Sequence, residues 1–139
     1  MNRILIDTGP LVAFLNHEDP LHSWVRKSLD VIEPPIFTCE PVLTEAFFLL
    51  GRTHGGREAL MKLLINQAIQ PDFHMLTEAP ALCALMKKFD SVPMSLADAC
   101  LVRMTELDPE SVILTLASDF RIYRRNRRQA VPVLMPEDG

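Results

Sequence analysis

The sequence predicts an α/β domain built around a mainly parallel β-sheet. Short apolar, strand-like runs alternate with segments whose apolar residues recur at helical spacing, the order expected when crossover helices link parallel strands. With 139 residues, 48% of them hydrophobic and 23% charged, the chain has the size and composition of one globular domain spanning 1–139. Acidic residues stand where apolar runs give way to turns or helices, and open parallel sheets gather ligands at such strand ends.

Taken in order, the first strand is residues 3–6, a short apolar run closed by Asp7 and the turn-forming Thr8-Gly9-Pro10. Residues 10–16 and 21–32 read as helices, the second ended by Pro34-Pro35. A strand over 36–39 leads into a helix over 41–50. After His54-Gly55-Gly56, a helix over 57–68 carries Leu60, Leu63, Leu64 and Ala68 at helical spacing. A third strand is expected at 73–76 and a helix at 79–89, and Ser95 is a good N-cap for a helix over 96–107. Strands over 112–115 and 131–134 complete the sheet. No repeat, low-complexity segment or linker interrupts this order.

Several function classes are excluded. No apolar run approaches the ~18 residues of a membrane span, and the N-terminus lacks the basic and apolar regions of a leader, so a cytoplasmic location is expected. Cys39, Cys83 and Cys100 are odd in number, far apart and set among apolar residues, which suggests buried free thiols and neither a zinc site nor a redox pair. His17, His22, His54 and His74 lack metal-ligand spacing, and no G-x-S-x-G, Walker A or G-x-G-x-x-G motif occurs. A net charge of −4 argues against coating nucleic acid by bulk attraction, although a basic patch lies near the C-terminus.

Asp7, Glu45 and Asp98 lie in otherwise apolar surroundings, where an ionised carboxylate is costly unless it is paired or binds a metal. Together they suggest hard oxygen ligands for a divalent cation. Singly, Asp7 could be a turn residue, and Glu45 and Asp98 could belong to solvated helix faces. Arg121, Arg124, Arg125 and Arg128 follow at i, i+3, i+4 and i+7, so a helix would present them as one cationic strip, with Arg127 nearby. Such a strip suits RNA phosphates; it would also serve as a solvated face or a socket for an acidic partner.

The segment Asp7-Thr8-Gly9-Pro10-Leu11-Val12-Ala13, Glu45 in its apolar helix, Leu96-Ala97-Asp98-Ala99, and Ile113-Leu114-Thr115 followed by Asp119-Phe120 resemble the PIN domain family, in its branch of VapC-like toxins. The resemblance implies a three-layer α/β/α sandwich with a central, mainly parallel sheet of four or five strands. It implies a Mg²⁺- or Mn²⁺-dependent endoribonuclease leaving a 5′-phosphate and a 3′-hydroxyl, dimeric and held inactive by a small antitoxin. By the same resemblance Asp7 and Asp98 are direct metal ligands, and Glu45 binds directly or through a metal-bound water. Thr8 would place its hydroxyl near the scissile phosphate, or serve only the local turn. Family members often read Thr-x-Asp-x-Asp-Phe where this chain has Thr115-Leu116-Ala117-Ser118-Asp119-Phe120, so Ala117 replaces the first Asp and Asp119 matches the second. Asp119 would add outer hydrogen bonds or substitute as a ligand; a carboxylate at a helix N-terminus is the plainer reading. Ala117 keeps a second function open, a degenerate PIN domain that binds RNA or a protein with little cleavage. A phosphoacceptor receiver module stands third, since the last strand ends Leu134-Met135-Pro136 without the Lys such a module needs.

Overall fold

A computed structural model of the chain describes residues 2–137. In chain order its elements are β1 (Arg3–Ile6), α1 (Thr8–Leu15), α2 (His22–Asp30), β2 (Ile36–Thr38), α3 (Glu40–Leu49), α4 (Gly56–Ile65), β3 (Ile69–Pro71), α5 (Met75–Lys88), α6 (Leu96–Leu107), β4 (Ser111–Leu114), β5 (Arg124–Arg125), β6 (Gln129–Ala130) and β7 (Val133–Leu134). Single 3-10 turns occupy Leu50–Arg52 and Ser118–Arg121.

The central sheet has five strands in the order β3-β2-β1-β4-β7, every neighbouring pair parallel. Six helices flank it, giving the α/β/α sandwich that the alternating pattern predicts. Central parallel strands are covered on both faces and therefore read as apolar runs. Leu5 and Ile6 of β1 and Ile113 and Leu114 of β4 are fully buried accordingly. The chain steps outward from β1 to β3, then crosses back to lay β4 on the other side of β1. Strand order thus reverses between β1 and β4, and the register pairs Ile6 with Leu114. The next residue on each strand, Asp7 and Thr115, therefore stands at the switch point.

Several sequence expectations are corrected. The third strand is Ile69–Pro71, not residues 73–76; Pro71 is tolerated because β3 lies at the sheet edge, where no further ladder bond is needed. The preceding helix stops at Ile65 rather than Ala68, because Gln67 takes a left-handed turn (φ 62°) and the Asn66 side chain accepts the Ala68 N–H. Met75 and Leu76, read as strand, open α5, which runs through Pro80, and Leu76 is 92% exposed. The Arg121–Arg128 helix does not form either. A 3-10 turn leads into the β5–β6 hairpin, whose turn residues Asn126 and Arg127 have φ of 47° and 76°. Of the three cysteines, Cys39 and Cys100 are buried free thiols as expected, whereas Cys83 is exposed on α5.

Candidate active site

The switch point holds the most buried acid among the candidates. Asp7 is 7% exposed and caps α1, its Oδ1 accepting the Thr8 N–H at 2.8 Å. Its Oδ2 accepts the Thr115 hydroxyl at 2.7 Å, and that hydroxyl oxygen accepts the Ala117 N–H at 3.0 Å. A backbone amide, a threonine and a carboxylate thus form a short relay from the end of β4 to the end of β1. Thr8, also buried, donates its hydroxyl to Glu45 Oε2 at 2.9 Å, drawing α3 towards α1. Glu45 itself is exposed, contrary to the apolar burial its neighbours suggest. The apolar face of α3 is made by Val42, Leu43 and Ala46, which leaves Glu45 outward.

Asp98 lies half-buried in the first turn of α6, and its N–H is capped by the Ser95 hydroxyl at 3.0 Å, as the sequence predicts. Because α6 feeds the start of β4, its own N-terminal turn stands at the carboxyl edge of the sheet, near Asp7. Asp98 Oδ2 accepts the Tyr123 hydroxyl at 2.6 Å. Asp119 sits half-buried in the 3-10 turn after β4, its carbonyl accepting the N–H groups of Ile122 and Tyr123.

Electrostatics tie these acids together. Burial, opposed by the Thr115 and Thr8 hydrogen bonds and reinforced by the charges of Asp98 and Glu45, pushes the Asp7 carboxyl from 3.8 up to about 6. The Tyr123 phenol is held far above its ordinary range, first by burial, then by the bond to Asp98 and the charges of Asp98, Asp119 and Asp7. All-oxygen donors crowded with negative charge suit Mg²⁺ or Mn²⁺ in chemistry, since a hard cation offsets both the burial of Asp7 and its like-charged neighbours. In arrangement the acids are held apart: among the described residues no three His, Cys, Asp or Glu side chains stand together at metal-ligand positions. Each of Asp7, Glu45 and Asp98 is engaged by a hydroxyl of its own.

The arginine-rich segment leaves this edge at Tyr123 and runs to the C-terminal end of α6, away from the acids, in a form the sequence did not suggest. Arg124 Nη1 donates to the carbonyls of Arg121 and Tyr123, both at 2.8 Å, and to that of Ile122 at 3.3 Å. Arg125 Nη1 donates to the carbonyls of Thr105 at 2.8 Å and Pro109 at 3.2 Å, closing the C-terminal end of α6. Arg121, Arg127 and Arg128 are exposed.

Sequence reasoning missed Thr115 and Tyr123 as site residues. Thr115 stood in the sequence only as part of the motif before Asp119, with no role of its own, and only the β1–β4 register sets it against Asp7. Tyr123 is the single tyrosine of the chain, placed in an arginine-rich run, and that isolation is the one signal that could have drawn attention to it.

The model of the PIN domain family matches residues 4–126, from the first strand through the 3-10 turn and into the hairpin. No curated protein matches the chain. PIN domains are generally nucleases, typically use divalent metals, and act on nucleic acid. With its family model spanning most of the chain over a five-stranded parallel sheet, the protein belongs to the PIN domain family and carries a nuclease-type fold.

Proposed function

We propose that the chain is a Mg²⁺- or Mn²⁺-dependent endoribonuclease of the VapC-like toxin type, a single domain over 1–139. The observation that carries the reading is Asp7, buried at the switch point and raised to about 6 by burial and by the charges of Asp98 and Glu45. A group so placed gains from cation binding more than an exposed carboxylate does. Asp7 and Asp98 would hold the ion, with Glu45 binding directly or through a water and Asp119 contributing outer hydrogen bonds. When bound, the cation would activate a water and offset charge on the phosphodiester. Thr115 and Thr8 would orient the carboxylates through their hydroxyls, Thr115 at Asp7 and Thr8 at Glu45, with Thr8 also near the scissile phosphate in this reading. Exposed Arg128 would be the foremost RNA phosphate contact; Arg121, Arg124 and Arg125 would serve with the N–H groups left over from their other bonds.

The same reading includes a small antitoxin, a homodimer and a cytoplasmic location. A partner surface is supported by Phe48 and Leu49, 78% and 53% exposed at the end of α3. Among the described residues no helix is long and apolar enough to cross a membrane.

The test is cleavage of a structured RNA by purified protein with Mg²⁺ or Mn²⁺, set against Asp7→Asn. Metal-dependent cleavage that Asp7→Asn reduces ~10²-fold or more is expected, the scale on which removal of an electrostatic catalytic group is felt. Cleavage untouched by Asp7→Asn would refute the assignment. Ala117 favours a second reading, a degenerate domain that binds RNA or a protein partner. Its signature is RNA binding by the wild-type protein with no cleavage in either metal.

A further inference from the structure

Tyr123, just before the C-terminal hairpin, is a fully buried side chain whose hydroxyl reaches Asp98. Its ring is held from two sides: Phe89 meets it edge-on with centroids 5.3 Å apart, and Phe120 does so at 5.2 Å. Its backbone is held as well. The Tyr123 N–H donates to the Asp119 carbonyl at 3.2 Å, and its own carbonyl accepts Arg124 Nη1 at 2.8 Å. A phenol fixed at ring and backbone cannot follow a moving partner, so the partner must conform to it. Asp98 does so, giving Oδ2 to the phenol at 2.6 Å, a short charge-assisted hydrogen bond. The Asp98 N–H is meanwhile tied to Ser95. Backbone and Oδ2 of Asp98 are thus both restrained, and Oδ1 is the oxygen outside the Tyr123 bond.

We propose that Tyr123 is a positioning residue that orients the Asp98 carboxylate for cation binding, so that the segment after β4 completes a site whose acids come from β1, α3 and α6. The proposal rests on the metal-dependent reading of the site above. Groups that hydrogen-bond a metal-ligating side chain fix its orientation, and losing one typically costs 10–100-fold in metal affinity. Tyr123 acts here through Asp98 and touches neither metal nor substrate.

The test is a double-mutant cycle read by Mn²⁺ affinity, measured by calorimetry on the full chain: wild type, Tyr123→Phe, Asp98→Asn and the pair. Tyr123→Phe keeps the ring that Phe89 and Phe120 hold and removes only the hydroxyl, so the fold is retained and is checked by its unfolding midpoint. We expect ~10-fold weaker Mn²⁺ binding in Tyr123→Phe and no further weakening when that change is added to Asp98→Asn. A purely structural role would weaken binding equally in both backgrounds, and that outcome overturns the proposal. Unchanged or tighter binding in Tyr123→Phe overturns it too, while leaving the metal site standing if Asp7→Asn still abolishes uptake. Wild-type protein that takes up no Mn²⁺ sinks the metal reading itself, and the positioning role with it.

Discussion

Asp7 shows how one side chain carries a cost for the whole molecule. The folded protein holds its proton up to about pH 6, whereas an unfolded chain releases it near 3.8. Between those values the folded state binds more protons, so stability falls as pH rises through the interval and stays lower above it. The penalty at neutral pH is on the order of 3 kcal/mol. Asp7→Asn removes the charge and keeps an acceptor for the Thr8 N–H; Thr115 can turn its hydroxyl to accept from the new amide. Urea unfolding at pH 7.5 should therefore find Asp7→Asn more stable by roughly 1–3 kcal/mol, with the advantage gone below about pH 4. An Asn variant less stable at pH 7.5 would show that the hydrogen bonds outweigh the burial of charge. The sequence revealed Asp7 because an acid after an apolar strand is visible in one dimension. It showed Thr115 within a motif but not its bond to Asp7, which exists only once β1 and β4 lie side by side with Ile6 against Leu114.

At the scale of elements, the arginine-rich segment shows where periodicity misleads. Arg121, Arg124, Arg125 and Arg128 have helical spacing, yet Asn126 and Arg127 adopt positive φ and the chain folds back on itself as a hairpin. What fixes the hairpin is tertiary: Arg125 bonds the Thr105 and Pro109 carbonyls, and the Asn126 N–H bonds Glu106 Oε2 at 2.7 Å. Local spacing contains none of that. The strand misplaced to 73–76 has a similar origin, because an apolar run can open a helix as easily as it forms a strand. The consequence is a division of labour among the arginines. Arg124→Ala strips the donor from three carbonyls and should destabilise the fold by about 1–3 kcal/mol in denaturant unfolding. Arg128→Ala, at an exposed position, should leave stability within ~0.5 kcal/mol. It should weaken RNA binding and reduce the steepness of its salt dependence by about one phosphate contact. A stable Arg124→Ala, or an Arg128→Ala with an unaltered salt slope, would reverse these assignments.

At the scale of the whole molecule, the topology was the most legible feature. A parallel sheet with covered faces requires apolar strands, crossover helices and a reversal of strand order, and the first two are written in the alternation of the chain. The reversal leaves Asp7 buried within reach of the charges of Asp98 and Glu45, at a standing cost to its ionised form. A ligand that binds only the folded state returns stability in proportion to the logarithm of its concentration over its dissociation constant. Mn²⁺ at a hundredfold excess over that constant would add about 2.7 kcal/mol, enough to raise the unfolding midpoint of a domain this size by several degrees. The rise should be present at pH 7.5, where Asp7 is ionised, shrink below about pH 6, and vanish in Asp7→Asn. Ala117 offers the sharper comparison. Its N–H already bonds the Thr115 hydroxyl that holds Asp7, so a carboxylate there joins the same cluster. Ala117→Asp should lower stability in chelator by adding like charge, and enlarge the Mn²⁺-induced rise by adding a ligand. If Ala117→Asp lowers stability in chelator yet leaves the Mn²⁺ response unchanged, position 117 lies outside the ligand set and the acids already present form the complete site.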